Sequence, residues 1–198
     1  MNKDKFLADI RKNQPRSLPL LDLNFNQFLT SDPPVETFVQ TLARIGGEAV
    51  EVENISEAKL IIEQRFPEIK KCFCAIPEMD ANTVNLAEVR TSNDLDDLQL
   101  VILPGQLGVA ENGAVWIADA SMGKRVAPFI TEHLVIVLSR QNIVQNLHQA
   151  YTDIGTDEYN YGVFIAGPSK TADIEQSLVI GAHGPLSLMV FLIANGNF

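Results

Sequence analysis

The residues of this 198-residue chain best suited to chemistry fall into three groups. The first is Gly167-Pro168-Ser169-Lys170-Thr171, with Asp173 and Glu175 close behind. A Gly-Pro breaker leads into two hydroxyls and an ammonium, and such a turn suits a phosphate or carboxylate. The same residues equally suit a strand-to-helix turn with Thr171 as N-cap and Asp173 favoured by the helix dipole. The spacing is not that of the Walker P-loop, which needs a second glycine just before its lysine. The second group is Glu111-Asn112-Gly113. Asn-Gly is a strong hairpin signal, with Glu111 then ending a strand. A carboxylate there can also serve as a covalent catalyst where its surroundings exclude water. The third is His183 among Gly181, Gly184 and Pro185, a candidate acid–base group or anion contact, or else a turn histidine bonded to backbone.

Other reactive side chains read as structural. His133 lies beside an apolar run and His148 flanks an apolar helical face. Cys72 and Cys74 alternate, which puts both thiols on one face of a strand as core residues. Two cysteines are too few for an iron–sulfur cluster, which takes four ligands, and no further His or Cys follows at zinc spacing. The dinucleotide fingerprint is also missing, so a self-contained NAD dehydrogenase is not indicated.

The elements that must position these groups alternate in type. Residues 1–11 predict a short amphipathic helix, and 13–34, with four prolines, an extended arm. Asp32 as N-cap and Pro33 at the first turn predict a helix carrying Val35, Phe38, Val39, Leu42 and Ile45, stopped by Gly46-Gly47. A strand over 48–52, a helix capped by Ser56 and a strand over 71–76 form a strand–helix–strand unit, which favours a parallel sheet. Strands follow at 100–103, 107–111 and 114–118, the last two forming a two-residue hairpin around Asn112-Gly113. Residues 129–138 predict a strand, and Ser139 opens a helix with Ile143, Val144, Leu147 and Tyr151 inward. Apolar runs at 162–166, 178–180 and 188–193 complete an α/β chain, a mainly parallel sheet flanked by helices. The division is an N-terminal helix and Pro-rich arm over 1–34 and a body over 35–198.

The string 167–175 with Gly181-x-His183-Gly184-Pro185 resembles the C-terminal signature of the LUD-domain family, more loosely so over 100–138. The resemblance implies a fold like that of sugar-phosphate isomerases and coenzyme A transferases. It also implies a role beside iron–sulfur partner subunits that oxidise L-lactate to pyruvate, with a small carboxylate or phosphate held near Gly167, Ser169, Lys170, Thr171, Asp173 and His183, and near Glu111, Asn112 and Gly113. No cofactor on this chain is expected. Ala110-Glu111-Asn112-Gly113 resembles the Ser-Glu-Asn-Gly motif of coenzyme A transferases, where the glutamate is the nucleophile; alanine here replaces the serine. A free-standing transferase-like or isomerase-like enzyme using Glu111 is therefore the alternative, and a scaffold acting through its arm is a third.

Net charge −10 argues against nucleic acid, whose phosphates are met by excess Lys and Arg. No apolar run approaches the roughly 20 residues that a membrane helix needs. An N-terminus with charges among its apolar residues lacks a signal-peptide core, so the cytoplasm is the expected compartment. A homodimer is a further expectation.

Overall fold

The computed structural model describes residues 2–19, 24, 29–86, 88–155, 161–172 and 178–194. Its centre is two long strands, β6 (His133–Ser139) and β11 (Ser187–Ile193), paired in parallel from Ser187↔His133 to Ile193↔Ser139. Both are continuous apolar runs, the pattern of strands covered on both faces. Outward from them lie β1 (Glu48–Val52) beside β11, and β3 (Leu100–Pro104) beside β6, with β2 (Cys72–Cys74) at the far edge. All four pairings are parallel.

Period-two alternation divides the strands between two cores. One face carries Val135, Val137, Met189, Phe191 and Ile193, and packs with Ala58 and Ile62 of helix α3 (Ile55–Arg65). The other carries Leu134, Ile136, Leu138, Leu188, Val190 and Leu192, and packs with Phe38 and Leu42 of helix α2 (Pro34–Arg44) and with a second sheet. That sheet has four strands in the order β7 (Ile143–Val144), β4 (Leu107–Val109), β5 (Ala114–Ala118), β8 (Gly162–Ile165). Helix α5 (Leu147–Ile154) closes its outer face, with Ala150 against Leu107 and Val109. A two-stranded hairpin of β9 (Lys170–Ala172) and β10 (Leu178–Ile180) stands apart. Helix α1 (Lys3–Lys12) buries no residue, and the short α4 (Ala127–Ile130) leads into β6.

Several boundaries differ from expectation for local physical reasons. Pro34 forces the residue before it out of the helical region, so Pro33 is extended (ψ 126°) and the helix begins at Pro34, with Asp32 outside it. Asn54, rather than Ser56, caps α3, its side chain accepting from the Glu57 N–H at 3.1 Å. The β1–α3–β2 unit is parallel but not adjacent: α3 crosses from one edge of the sheet to the other. The hairpin loop is four residues, 110–113, because the N–H groups of Ala110 and Glu111 pair with Val144 and Gln145 instead of with β5. No long helix opens at Ser139. The β-branched pair Ile143-Val144 joins β4, Asn146 caps a shorter helix at Gln149, and Tyr151 is exposed.

Loops finish the framework. Asn82 and Thr83 protect the edge of β2: Thr83 Oγ1 accepts from Cys72 N–H and Asn82 Oδ1 from Cys74 N–H, both at 2.8 Å. Arg125 grips Asp119 through two bonds of 2.9 and 2.8 Å while its guanidinium lies 5.0 Å from the Tyr161 ring centre. This clamp sets the entry to β8 and holds the Asp119 carboxyl below its ordinary value. No helix among the described residues is long and apolar enough to cross a membrane.

Phe191 is fully buried mid-strand between α3 and the sheet. Phe191→Ala is expected to cost about 3–5 kcal/mol, read as a lower denaturant midpoint with an unchanged slope.

Candidate functional site

Strand β8 delivers the chain to Gly167, where it turns sharply against the last turn of α2. Gly167 has φ +73°, and a Cβ there would stand 2.9 Å from the Ile45 carbonyl oxygen, so side chains are excluded twice over. The Lys170 ammonium donates to that same carbonyl. A cation on the unpaired carbonyls of a helix C-terminus is favoured by hydrogen bonding and by the dipole. Ser169 ties in the following loop: its N–H donates to Pro185 O at 2.9 Å and its carbonyl accepts from Gly181 N–H at 3.1 Å. Gly184 lies directly on Ser169, with only 3.0 Å between a built Cβ and the Ser169 Cβ. The structure thus brings together Gly167, Ser169, Lys170 and the 181–185 loop, with His183 exposed beside them.

The strand-to-helix turn is corrected here. Lys170 and Thr171 belong to strand β9, and Thr171 Oγ1 donates to Val179 O of its hairpin partner at 3.3 Å instead of capping a helix. An anion at Ser169 would therefore meet an ammonium and a hydroxyl without a helix dipole behind them. Asp173 and Glu175 lie outside the described residues.

The Glu111 loop arrives at the same place from the other side. Gly113 fits against the backbone of Leu42, 3.1 Å from a built Cβ, so both candidate turns abut the end of α2. Asn112 Oδ1 accepts from Ala114 N–H at 3.0 Å and shapes the turn. The Glu111 carboxylate points elsewhere: Oε1 accepts from Leu147 N–H at 2.8 Å, at the N-terminus of α5. An acid there is stabilised by unpaired N–H groups and the positive helix end. Next to it, the Gln145 amide accepts from Thr30 N–H at 3.0 Å and donates to Thr30 O at 2.7 Å, clasping the N-terminal segment to the body.

Ile45, Gln145 and Thr30 were not identifiable as site residues by side-chain pattern. Apolar spacing marks Ile45 as core and is silent about its carbonyl, and nothing local links positions 30 and 145. The capping role of Asn146 had a usable signal, an Asn directly before an apolar helical run.

His133 is tied into the sheet: its Nδ1 lies 2.8 Å from Ser187 Oγ and its ring packs on Phe66 at 4.9 Å. It lines a cleft of about 780 Å³ with Phe66, Lys70, Gln99 and Glu132. Cys72 and Cys74 are both buried on the α3 face. Burial, with the Cys74 thiol adjacent, pushes Cys72 up to about 12, and burial raises Cys74 too. Burial thus keeps both thiols in the neutral form at neutral pH. Among the described residues no three His, Cys, Asp or Glu side chains group to hold a metal.

The fold is a parallel α/β core with its two candidate turns gathered at one helix end. The LUD domain model matches residues 76–193, and the chain belongs to that family. Its relatives include lactate utilization protein C 1 of Bacillus mycoides strain KBAB4, 26% identical over 171 residues, 80% of this chain and 70% of that protein. Lactate utilization protein C of Bacillus subtilis strain 168 is 33% identical over 98 residues, covering 46% of this chain and 40% of that protein. That of Oceanobacillus iheyensis is 27% identical over 92 residues, and the match spans 39% of its length. A crystal structure of a DUF162 family protein from Deinococcus radiodurans shares the fold, with TM-score 0.65 at 15% identity, over 87% of this chain and 99% of that one.

The thiols give a pH test. Cys72 rises from 9.0 to about 12 on folding, so the fold favours the neutral thiol. Stability from this source is complete below the unfolded value of 9.0 and is lost as pH climbs through about 12. Alkylation by iodoacetamide at pH 8 is expected to be slower than in denaturant by about a thousandfold or more, the ratio of thiolate fractions. Rapid native labelling of both cysteines would overturn the assignment.

Proposed function

We propose that this chain acts in lactate utilisation as a ligand-binding accessory subunit. In this reading partner iron–sulfur proteins accept the two electrons released as L-lactate becomes pyruvate, and the assembly works in the cytoplasm. The observation that carries the reading is the family match over 76–193, with relatives named for lactate utilisation. The chain has two cysteines, fewer than the four ligands an iron–sulfur cluster takes, so in this reading the clusters sit on the partners.

The ligand is a small carboxylate or phosphate at the rim formed by Ser169, Lys170, Thr171 and His183. Lys170 is held in place by the Ile45 carbonyl, so its ammonium is positioned before a ligand arrives. Pre-positioning reduces the entropy lost on binding. The alternative, an acyl-transfer enzyme with Glu111 as nucleophile, requires the carboxylate to attack a thioester carbonyl. That reaction would weaken its bond to Leu147 N–H, which favours the binding reading.

In-frame deletion in the source cells is expected to abolish growth on L-lactate and to spare growth on a sugar. The wild-type chain and Glu111→Gln should restore it. Lys170→Ala should restore it poorly, although the variant still folds by circular dichroism. A tagged chain from lactate-grown cells should co-purify with iron and acid-labile sulfide. Unimpaired growth together with an iron-free eluate sinks the proposal. Acyl transfer by the isolated chain, lost in Glu111→Gln, would establish the rival.

A further inference from the structure

Helix α1 has an apolar face that is exposed among the described residues. Phe6, Leu7 and Ile10 are 46%, 39% and 44% exposed, and no residue of the helix is buried. Leu7–Ile10 and Phe6–Ile10 have the i, i+3 and i, i+4 spacings of anchors on a helix that docks in a groove. An isolated ten-residue helix is marginal in water, so its stability depends on a partner.

Charge indicates what the partner is. Lys3, Lys5, Arg11, Lys12 and Arg16 against Asp4 and Asp9 give residues 1–19 a net charge of +3, in a chain of net −10, so the remainder carries −13. The helix is a basic segment joined to a strongly acidic body. That body exposes an apolar residue in the middle of a helix: Leu60 of α3 is 58% exposed, more than any α1 anchor. Its neighbours one turn away include Glu57 and Glu63, both exposed. Leu7 has the cations Lys3 and Arg11 four residues away on either side, with Asp4 three away. An apolar stripe flanked by cations thus matches an apolar knob flanked by carboxylates.

We propose that α1 is a clasp acting between molecules: its Phe6–Leu7–Ile10 face docks on the Leu60 face of α3 in a second copy of this chain. The reciprocal contact is the same pair of surfaces read in reverse and closes a two-fold dimer. Reach permits this, since the covalent chain from Asn13 to the Thr30–Gln145 clasp spans up to about 60 Å when extended. Two short helix contacts lie near the lower bound of specific interfaces, roughly 1,200 Å² in total, so the dimer is weak and salt-sensitive.

The test is sedimentation equilibrium of the full chain at low and high salt. Expected is a monomer–dimer equilibrium whose dissociation constant rises at least about tenfold in Phe6→Asp and in Leu60→Asp, both surface changes that leave the fold intact. Glu63→Lys should weaken the dimer, and adding Lys3→Glu with Arg11→Glu should restore it. That rescue is specific to this helix pair. A full chain that stays monomeric at every concentration overturns the proposal. So does a dimer indifferent to Phe6→Asp, or α1 protected from hydrogen exchange in a monomer, which would place it on its own body. Flotation of the monomer with anionic phosphatidylserine vesicles, lost in Phe6→Asp, would assign the face to a lipid surface instead.

Discussion

Everything in this molecule depends on the parallel pairing of β6 with β11. Both strands are apolar at nearly every position, so each face of the pair has to be shielded from water, and two different solutions are used. Helix α3 covers one face together with Ile76 and Met79 from the segment after β2. The other is covered by a second sheet and α2, and this second layer is what carries the loops of interest. The hairpin containing Glu111 and the turn after β8 are positioned by strands whose first task is to bury Leu134, Ile136, Leu188 and Val190.

The meeting of two loops at the end of α2 follows from that layering. A helix end leaves carbonyls without intrahelical partners, which side chains can satisfy. Here Lys170 satisfies Ile45 from one loop while Gly113 packs close to Leu42 from the other. The same logic operates at α5 with the opposite sign, where Glu111 answers unpaired N–H groups. A basic side chain at a helix C-terminus and an acidic one at an N-terminus thus hold in place the two residues most suggestive of chemistry. The proposed ligand role leaves the structural bond of Lys170 in place, whereas a nucleophilic role for Glu111 would compete with its bond.

Much of the framework is legible in the chain itself. Long apolar runs at 134–138 and 188–193, the Phe38–Leu42 face of α2 and the Cys72–Cys74 alternation each act through local periodicity, and each is found where the pattern puts it. The errors are of two kinds. Some are competitions decided by one neighbouring atom group, as when Pro34 excludes Pro33 from the helix or Asn54 takes the cap from Ser56. Others depend on a distant partner. Residues 143–151 have helical spacing, yet Ile143 and Val144 are claimed by β4, and Lys170 and Thr171 become strand because β10 lies opposite. The site is the least legible part for the same reason: its key acceptor is a backbone carbonyl, and its clasp joins positions 115 residues apart.

The placement of β1 has a consequence for how the chain comes to be folded. Among the described residues the one strand that pairs with residues 48–52 is β11, at residues 189–193, so this segment has its ladder partner about 140 residues later. Until that last strand exists, β1 has no ladder to join and Val52 no completed core to enter. Helix α3 must wait too, since the surface it covers includes Met189, Phe191 and Ile193. Loop closure over such a distance comes before any reward from contact, which makes folding slow and nearly all-or-none. A chain not yet extended through β11 therefore presents the apolar edge of β6 to solvent, and the addition of residues 187–193 is what joins β1 to the sheet.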